Sequence, residues 1–122
     1  MSNEPAYWPS EIRLNSAKDQ LHVAFEGGEE YALSAEYLRV FSPSAEVQGH
    51  APSERKVIGG KKSVTITTIE PVGNYAIKPV FSDGHSTGLY TWIYLRDLGA
   101  QHDKLWPQYL AELAERGLAR EA

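Results

Sequence analysis

Histidine is the residue type best suited to acid–base or metal chemistry in this sequence, because none of the 122 residues is cysteine. That absence excludes disulfides, thiolate metal sites, iron–sulfur ligation by this chain and cysteine nucleophiles. No histidine begins a His-x-Asp or His-x-Glu pattern, and no HExxH motif is present. The sequence therefore predicts neither the two-histidine, one-carboxylate iron site of oxygenases nor a zinc-protease helix. His22 and His102 are expected at the surface.

His85 is the strongest candidate among the histidines, because it follows Asp83-Gly84 in a turn just before the aromatic residues Tyr90 and Trp92. Loops held by a rigid scaffold often carry binding groups. A turn histidine more commonly forms local hydrogen bonds, so both interpretations stay open. Oxygen and imidazole ligands can bind a divalent ion weakly, so a metal or small-ligand site at His85 and Asp83, with His50 as a further ligand, is one hypothesis.

Two serines and a basic cluster are weaker candidates for a functional site. Ser42 and Ser44 have no surrounding GxSxG motif, and no base is placed beside them by sequence. Gly59-Gly60-Lys61-Lys62 lacks the complete phosphate-loop spacing. The basic residues are either a solvated loop or a docking patch for an acidic partner; they are Arg55, Lys56, Lys61 and Lys62.

Length and charge narrow the class of protein. A chain of this size fits one domain, and we expect a lead-in over residues 1–9 and a single domain over 10–122. Twelve basic against sixteen acidic residues give a net charge of −4, which argues against nucleic-acid binding. No apolar run has the length of about 18 residues that a membrane span needs, and no signal peptide begins the chain. We expect a cytoplasmic protein without a cofactor.

The periodicity of the first third predicts strands followed by a helix. Apolar residues alternate through three runs separated by turn-forming residues at 15–19 and 26–29, which predicts an antiparallel meander. The runs contain Ile12 and Leu14, then Leu21, Val23 and Phe25, then Tyr31 and Leu33. Ser34 is a typical N-cap for a short helix over Ala35–Val40, which must end before Pro43.

The remainder predicts two more strands and one or two helices after an irregular stretch at 42–63. Strands are expected at Val64–Glu70, with a bulge near Thr67-Thr68, and at Tyr75–Phe81, where Pro79 indicates an edge or a sheet exit. Apolar spacing from Leu89 to Leu98 predicts a helix ending at Gly99, and a last helix runs from Asp103 to Arg116, with Pro107 acceptable only in its first turn. Trp92, Trp106 and Tyr109 are expected in the core, or at an interface if the sheet cannot cover them.

The fold class is therefore α+β. We expect a small antiparallel sheet domain of about five to six strands, with a short helix after strand 3 and one or two C-terminal helices.

Three stretches resemble the gamma-butyrobetaine hydroxylase-like N-terminal domain, a family described as of unknown function. They are Leu33–Arg39 continuing into Ser42–Glu46, then Ile69–Tyr75, and then Phe81–Ser86 with Tyr90, Trp92 and Leu95. The resemblance spans roughly residues 10–100. It implies a domain that precedes the catalytic jelly roll in carnitine-pathway dioxygenases and holds a structural zinc there through three cysteines and a histidine.

The resemblance also locates the missing zinc ligands. The three cysteine positions fall on Ser42, Ser44 and Val47, and the histidine position falls on His85. Hydroxyls and a valine cannot replace thiolates around Zn²⁺, so the domain is expected to fold without that zinc. The chain looks like a stand-alone bacterial branch that carries Gly49-His50 after the serines.

The sequence leads to a non-enzymatic accessory or interaction domain as its first hypothesis. Its expected contact surface comprises Ser42, Ser44, Glu46, His50, Asp83 and His85. The partner is expected to be a protein, and relatives fused to ATPases of the iron–sulfur carrier class point by analogy to such an ATPase and to metal-cofactor maturation. The weak metal or small-ligand site described above is the alternative, and an enzyme with a novel site is the third.

Overall fold

The first sheet is a three-stranded antiparallel meander. The computed structural model describes residues 8–49 and 55–121, and the meander is formed by β1 (Pro9–Leu14), β2 (Gln20–Phe25) and β3 (Glu30–Ser34) in the order β1-β2-β3. Alternate side chains of β2 are buried, as period-two patterning requires. The predicted meander is confirmed.

Helix α1 (Ala35–Val40) follows β3 directly. The Ser34 hydroxyl accepts a hydrogen bond from the backbone N–H of Tyr37 at 3.0 Å, which confirms the predicted N-cap. A helix this short is not stable alone, and its last carbonyls need partners. Two tyrosine hydroxyls supply them: Tyr90 donates to the carbonyl of Leu38, and Tyr94 donates to the carbonyl of Phe41.

The second sheet has the order β4-β5-β6. Its strands are β4 (Ile66–Val72), β5 (Ala76–Phe81) and β6 (Tyr90–Thr91). The pairing register shifts between Ile66 and Thr68, which confirms the predicted bulge. β6 pairs only with Ala76 and Ile77, so Pro79 lies beyond the end of β6, where its missing N–H removes no bond to that strand. Six strands in two small sheets, counted over the part of the chain that the structure describes, confirm the α+β prediction.

Besides α1, the described residues form a one-turn α2 (Ala45–Gln48) before β4, and α3 (Trp92–Ala100) and α4 (His102–Glu115) after β6. The one-turn α2 lies inside the stretch expected to be irregular. The prediction of a helix that includes Leu89 and ends at Gly99 is wrong at both ends. Leu89 precedes β6 and is exposed, while Gly99 lies inside α3, where the Tyr31 ring packs against it. A Cβ at position 99 would lie 2.3 Å from that ring.

The expectation that the last helix accepts Pro107 only in its first turn is also wrong. Pro107 lies in the second turn of α4, so the carbonyl of Asp103 receives no intrahelical N–H. The exposure of Asp103 lets water satisfy that carbonyl. Otherwise α4 begins and ends within one residue of its predicted bounds.

The core joins both sheets to the helices. Tyr109 is fully buried, while Trp92 and Trp106 are partly buried and pack against the core cluster. Behind α4 the chain turns back, and Arg120 binds the buried carboxylate of Glu36 with two hydrogen bonds of 2.8 and 2.9 Å. Among the described residues, no helix combines the length and apolar character that crossing a membrane requires.

Candidate functional site

His85 lies between the turn that follows β5 and the segment that joins α1 to α2. Its Nε2 atom is 2.9 Å from the Ser42 hydroxyl oxygen and 3.4 Å from that of Ser44. Its Nδ1 atom is 3.6 Å from a carboxylate oxygen of Glu46. The fold therefore brings together side chains that are more than 40 positions apart in the sequence.

These contacts lie beneath the surface. Ser42 is completely buried, and Ser44 and His85 are 7% and 8% exposed. Gly88 covers Ser42 so closely that a Cβ at position 88 would lie 2.6 Å from the Ser42 hydroxyl oxygen. The glycine is needed for this close approach of backbone to side chain.

The environment of His85 favours its neutral form. Burial lowers the pKa of the imidazole, the positive charges of Arg39 and Lys61 lower it further, and the carboxylates of Glu46 and Asp83 oppose the effect. A neutral imidazole has one donor and one acceptor nitrogen. It can therefore exchange a hydrogen bond with Ser42 at Nε2, while Nδ1 faces Glu46.

Carboxylate, imidazole and hydroxyl occur here in the order seen in serine hydrolases. The chemistry of that triad requires the hydroxyl oxygen to reach a substrate carbonyl. The Ser42 oxygen is inaccessible, and it also accepts a hydrogen bond from the backbone N–H of Ser44 at 3.3 Å. This geometry instead holds the turn after β5 against the segment that joins α1 to α2.

Asp83 fixes the same turn through charge. One carboxylate oxygen lies 2.7 Å from both Arg39 Nε and Lys61 Nζ, and the other accepts the backbone N–H of His85 at 3.0 Å. Burial raises the pKa of this carboxyl, but the hydrogen bonds from Lys61, the His85 backbone and Arg39 outweigh it and lower the pKa to about 2.

Glu46 is the exposed member of the group, with 64% of its side chain accessible. Its carboxylate accepts a hydrogen bond from the Thr87 hydroxyl at 3.0 Å. On the inner side of the same loop, the Gln48 amide donates to the carbonyl of Ser42 at 2.8 Å. The first turn of α2 is thus tied to the segment after the Asp83 turn.

The six residues of the expected contact surface divide into three groups. Glu46 and Asp83 lie at the surface, and His50 falls outside the described residues. The side chains of the other three point into the fold, because they satisfy one another's hydrogen bonds there. These three are Ser42, Ser44 and His85.

The described side chains at this site are not arranged to hold a metal ion. Both ring nitrogens of His85 already face partners, and the carboxylate of Asp83 is occupied by two cations and a backbone N–H. In residues 8–49 and 55–121, no group of three or more His, Cys, Asp or Glu side chains is arranged to hold an ion. At the zinc-ligand positions implied by the family resemblance, Ser42 and Ser44 approach the imidazole instead, and Val47 is a buried apolar side chain.

Arg39 and Lys61 are parts of this site that sequence reasoning did not assign to it. Arg39 was noted only within the family pattern, and Lys61 only within the basic cluster. That cluster is divided in the structure, because Arg55 pairs with Glu112 while Lys61 pairs with Asp83. Pairing over such sequence separations leaves no local signal.

His22 and His102 lie outside the site. His22 is partly exposed, with Nε2 3.5 Å from Glu11 and 3.3 Å from Glu30, in keeping with its expected surface position. His102 is likewise partly exposed, as expected, and its ring packs against Tyr37 at 4.7 Å and stacks on Trp106.

Solved structures similar to this chain include two determined by NMR and one determined by crystallography. Two NMR solution structures share 46% and 42% sequence identity with this chain, and each has a TM-score of 0.81. They cover 94% and 98% of this chain and 90% and 89% of their own chains. A crystal structure of a DUF971-family protein of unknown function from Acidithiobacillus ferrooxidans has 38% identity and a TM-score of 0.64, covering 76% of this chain and 93% of that chain.

The search of curated proteins found no significant match. The family model of the gamma-butyrobetaine hydroxylase-like N-terminal domain matches residues 12–96. That match includes the serines, the Asp83 turn and His85, which are the residues that build the site. The chain therefore belongs to the gamma-butyrobetaine hydroxylase-like N-terminal family, whose function is unknown.

Proposed function

We propose that this chain is a non-enzymatic interaction domain that binds a protein partner through the Glu46 surface. We define this surface as Glu46, Thr87 and Asp83, which are polar side chains of the two segments joined by His85, together with Lys61, which pairs with Asp83 from the segment before β4. The proposal is carried by the structural role of the reactive groups, which hold the fold together rather than face solvent. The hydroxyl and imidazole that could perform chemistry are buried and bound to each other.

Pre-organisation supports a binding role. The Ser42–His85 hydrogen bond and the Asp83 ion pairs hold two loops in one arrangement before any partner arrives. Loops that are already ordered lose less conformational entropy on binding. A rigid surface of this kind suits recognition of a folded partner.

Charge defines the chemistry of the partner. Asp83 is neutralised by Arg39 and Lys61, whereas no Lys or Arg among the described residues pairs with Glu46. The exposed Glu46 carboxylate therefore favours a partner that presents a basic side chain opposite it. An ATPase of the iron–sulfur carrier class is the first candidate to test, on the analogy with fused relatives.

Site-specific photo-cross-linking tests the proposal. Position 46 receives the photoreactive residue p-benzoylphenylalanine, and the tagged protein is irradiated in a native lysate. The matched control places the same residue at Glu115, an exposed position near the end of α4. We expect a discrete cross-linked protein from position 46 that is absent from position 115.

Two results would count against the function. One is the same set of cross-linked proteins from both positions, since non-specific association with the protein surface would then explain the cross-links. The other is turnover of a small molecule that depends on Ser42 or His85 and persists without any protein partner. The carrier ATPase is excluded as the partner if mass spectrometry identifies a different class of protein.

A further inference from the structure

A cleft beside α3 contains an arginine whose hydrogen-bonding capacity is only partly used. The cleft has a volume of about 320 Å³ and lies beside the ends of α1 and α2 and the bend between α3 and α4. This volume is at the lower end of the range for small-molecule sites, roughly 300 Å³ and above. Its lining includes Phe41, Tyr94, Arg55, Gln101 and Gln108.

Arg55 is held in place on two sides. Its Nη1 atom donates to Glu112 at 3.0 Å, and its guanidinium carbon lies 4.6 Å from the centre of the Phe41 ring. The remaining nitrogens, Nε and Nη2, are buried and have no hydrogen-bond partner. Buried donors without partners are rare in folded proteins, because such a donor loses its hydrogen bonds to water and gains none in return.

Nε and Nη2 are the pair of guanidinium nitrogens whose N–H bonds run parallel along one side of the group. This side matches the two oxygens of a carboxylate. The same molecule contains the complete version of the contact, because Arg120 uses Nε and Nη2 to bind both oxygens of Glu36. Arg55 has the same pair of donors beside the cleft and no acceptor for them.

We propose that the cleft binds a small monocarboxylate through the Nε and Nη2 atoms of Arg55. Phe41 and Leu98 supply apolar contacts for the body of the ligand. Asp97 lines the same cleft and Glu112 already holds Arg55, so a second negative charge on the ligand is disfavoured. Both nitrogens are shielded from solvent, so binding requires a side chain of the cleft to move, and the cleft is lined in part by the exposed side chains of Gln101 and Gln108.

The site is separate from the Glu46 surface, so its failure leaves the proposed function untouched. The test is an NMR titration of the ¹⁵N-labelled protein with hexanoate, with hexanamide as an uncharged probe of the same shape. We expect saturable shifts at the side-chain amides of Gln101 and Gln108 with hexanoate, and binding of hexanamide at least about ten-fold weaker. Equal affinities for the two probes, or no saturable shift with hexanoate, would overturn the proposal.

Two variants separate the carboxylate contact from simple filling of an apolar cleft. Arg55→Lys keeps the charge but loses the paired donors, so hexanoate binding should weaken about ten-fold or more. Asp97→Asn removes a repulsive charge and leaves Arg55 in place, so hexanoate binding should tighten by a few-fold while hexanamide binding stays constant. If Arg55→Lys does not fold, Asp97→Asn decides: unchanged or weaker hexanoate binding contradicts the proposal.

Discussion

Replacing Asp83 by asparagine should destabilise the fold through a charge that the structure locates. Asp83→Asn keeps the size of the side chain and removes the negative charge that faces both Arg39 and Lys61 at 2.7 Å. Arg39 is nearly buried, so its guanidinium then lacks a compensating charge. The loss should therefore exceed that of an ordinary surface ion pair.

The size of the effect follows from the pKa of Asp83. The pKa decreases from 3.8 to about 2. At about 1.4 kcal/mol per pKa unit, this decrease sets an upper limit of about 2.5 kcal/mol on the contribution of the Asp83 charge to the free energy of unfolding. Asp83 is one-fifth exposed, and solvent screening reduces this to about 1–2 kcal/mol. Because the folded pKa lies below the unfolded one, this stability is fully present above about pH 4 and is lost as the pH falls towards 2.

Urea unfolding of wild type and Asp83→Asn at pH 7, 5 and 3 measures this difference. We expect about 1–2 kcal/mol at pH 7 and 5 and roughly half as much at pH 3. The matched control is Glu70→Gln, which breaks the more exposed Glu70–Lys78 pair and should cost less than about 0.5 kcal/mol. A difference below that of the control, or one independent of pH, would refute the reasoning.

Three further predictions concern the glycine contact, the buried imidazole and the former zinc positions. Gly99→Ala should lower the free energy of unfolding by about 1–3 kcal/mol despite the better helix propensity of alanine, because the new Cβ meets the Tyr31 ring. The control is Gly27→Ala, whose new Cβ has no atom within 4 Å. Equal losses in the two variants would contradict the contact. Since burial lowers the pKa of His85, the stability of wild type relative to His85→Gln should be highest above about pH 6.5 and fall as the pH drops below it; a constant difference between pH 8 and 5 would contradict the neutral buried imidazole. The triple variant Ser42→Cys, Ser44→Cys and Val47→Cys should bind one Zn²⁺ per chain and give thiolate charge-transfer bands with Co²⁺. Replacing His85 by alanine in this variant should remove the fourth ligand. Absence of metal binding by the triple variant would show that the three side chains and His85 do not converge.

Local patterns predicted most of the fold, because they act over a few residues. Alternation identified the strands of the meander, and Ser34 identified the start of α1 by a contact only three residues long. The errors occurred where apolar spacing had two explanations. Leu89 and Ile93 are four positions apart, as on one face of a helix, but both are exposed and β6 lies between them. A strand of two residues is too short to show its own periodicity.

The turn of Pro107 was misplaced for a related reason. Sequence rules place proline in a first turn because an interior proline leaves a carbonyl unpaired. Here the carbonyl belongs to Asp103, which is exposed to water, so the second turn is tolerated. Exposure is a tertiary property, and the local sequence does not report it.

The candidate site depended on contacts that no spacing rule reveals. His85 and the serines were linked in advance only by family resemblance, and the structure places them within hydrogen-bond distance. Their burial was not foreseen, because a serine-rich loop and a histidine turn are ordinarily exposed. The Glu36–Arg120 pair spans 84 positions and left no signal at all.

The affinity of the cross-linked partner for Glu46 variants tests the central claim most directly. With the purified partner, the dissociation constant is measured for wild type, Glu46→Arg and the control Glu115→Arg, which is equally a charge reversal at an exposed position. We predict that Glu46→Arg weakens binding about ten-fold or more, since it places like charges opposite each other, and that Glu115→Arg binds as wild type does. Equal affinity of wild type and Glu46→Arg, with both proteins folded, would contradict the account.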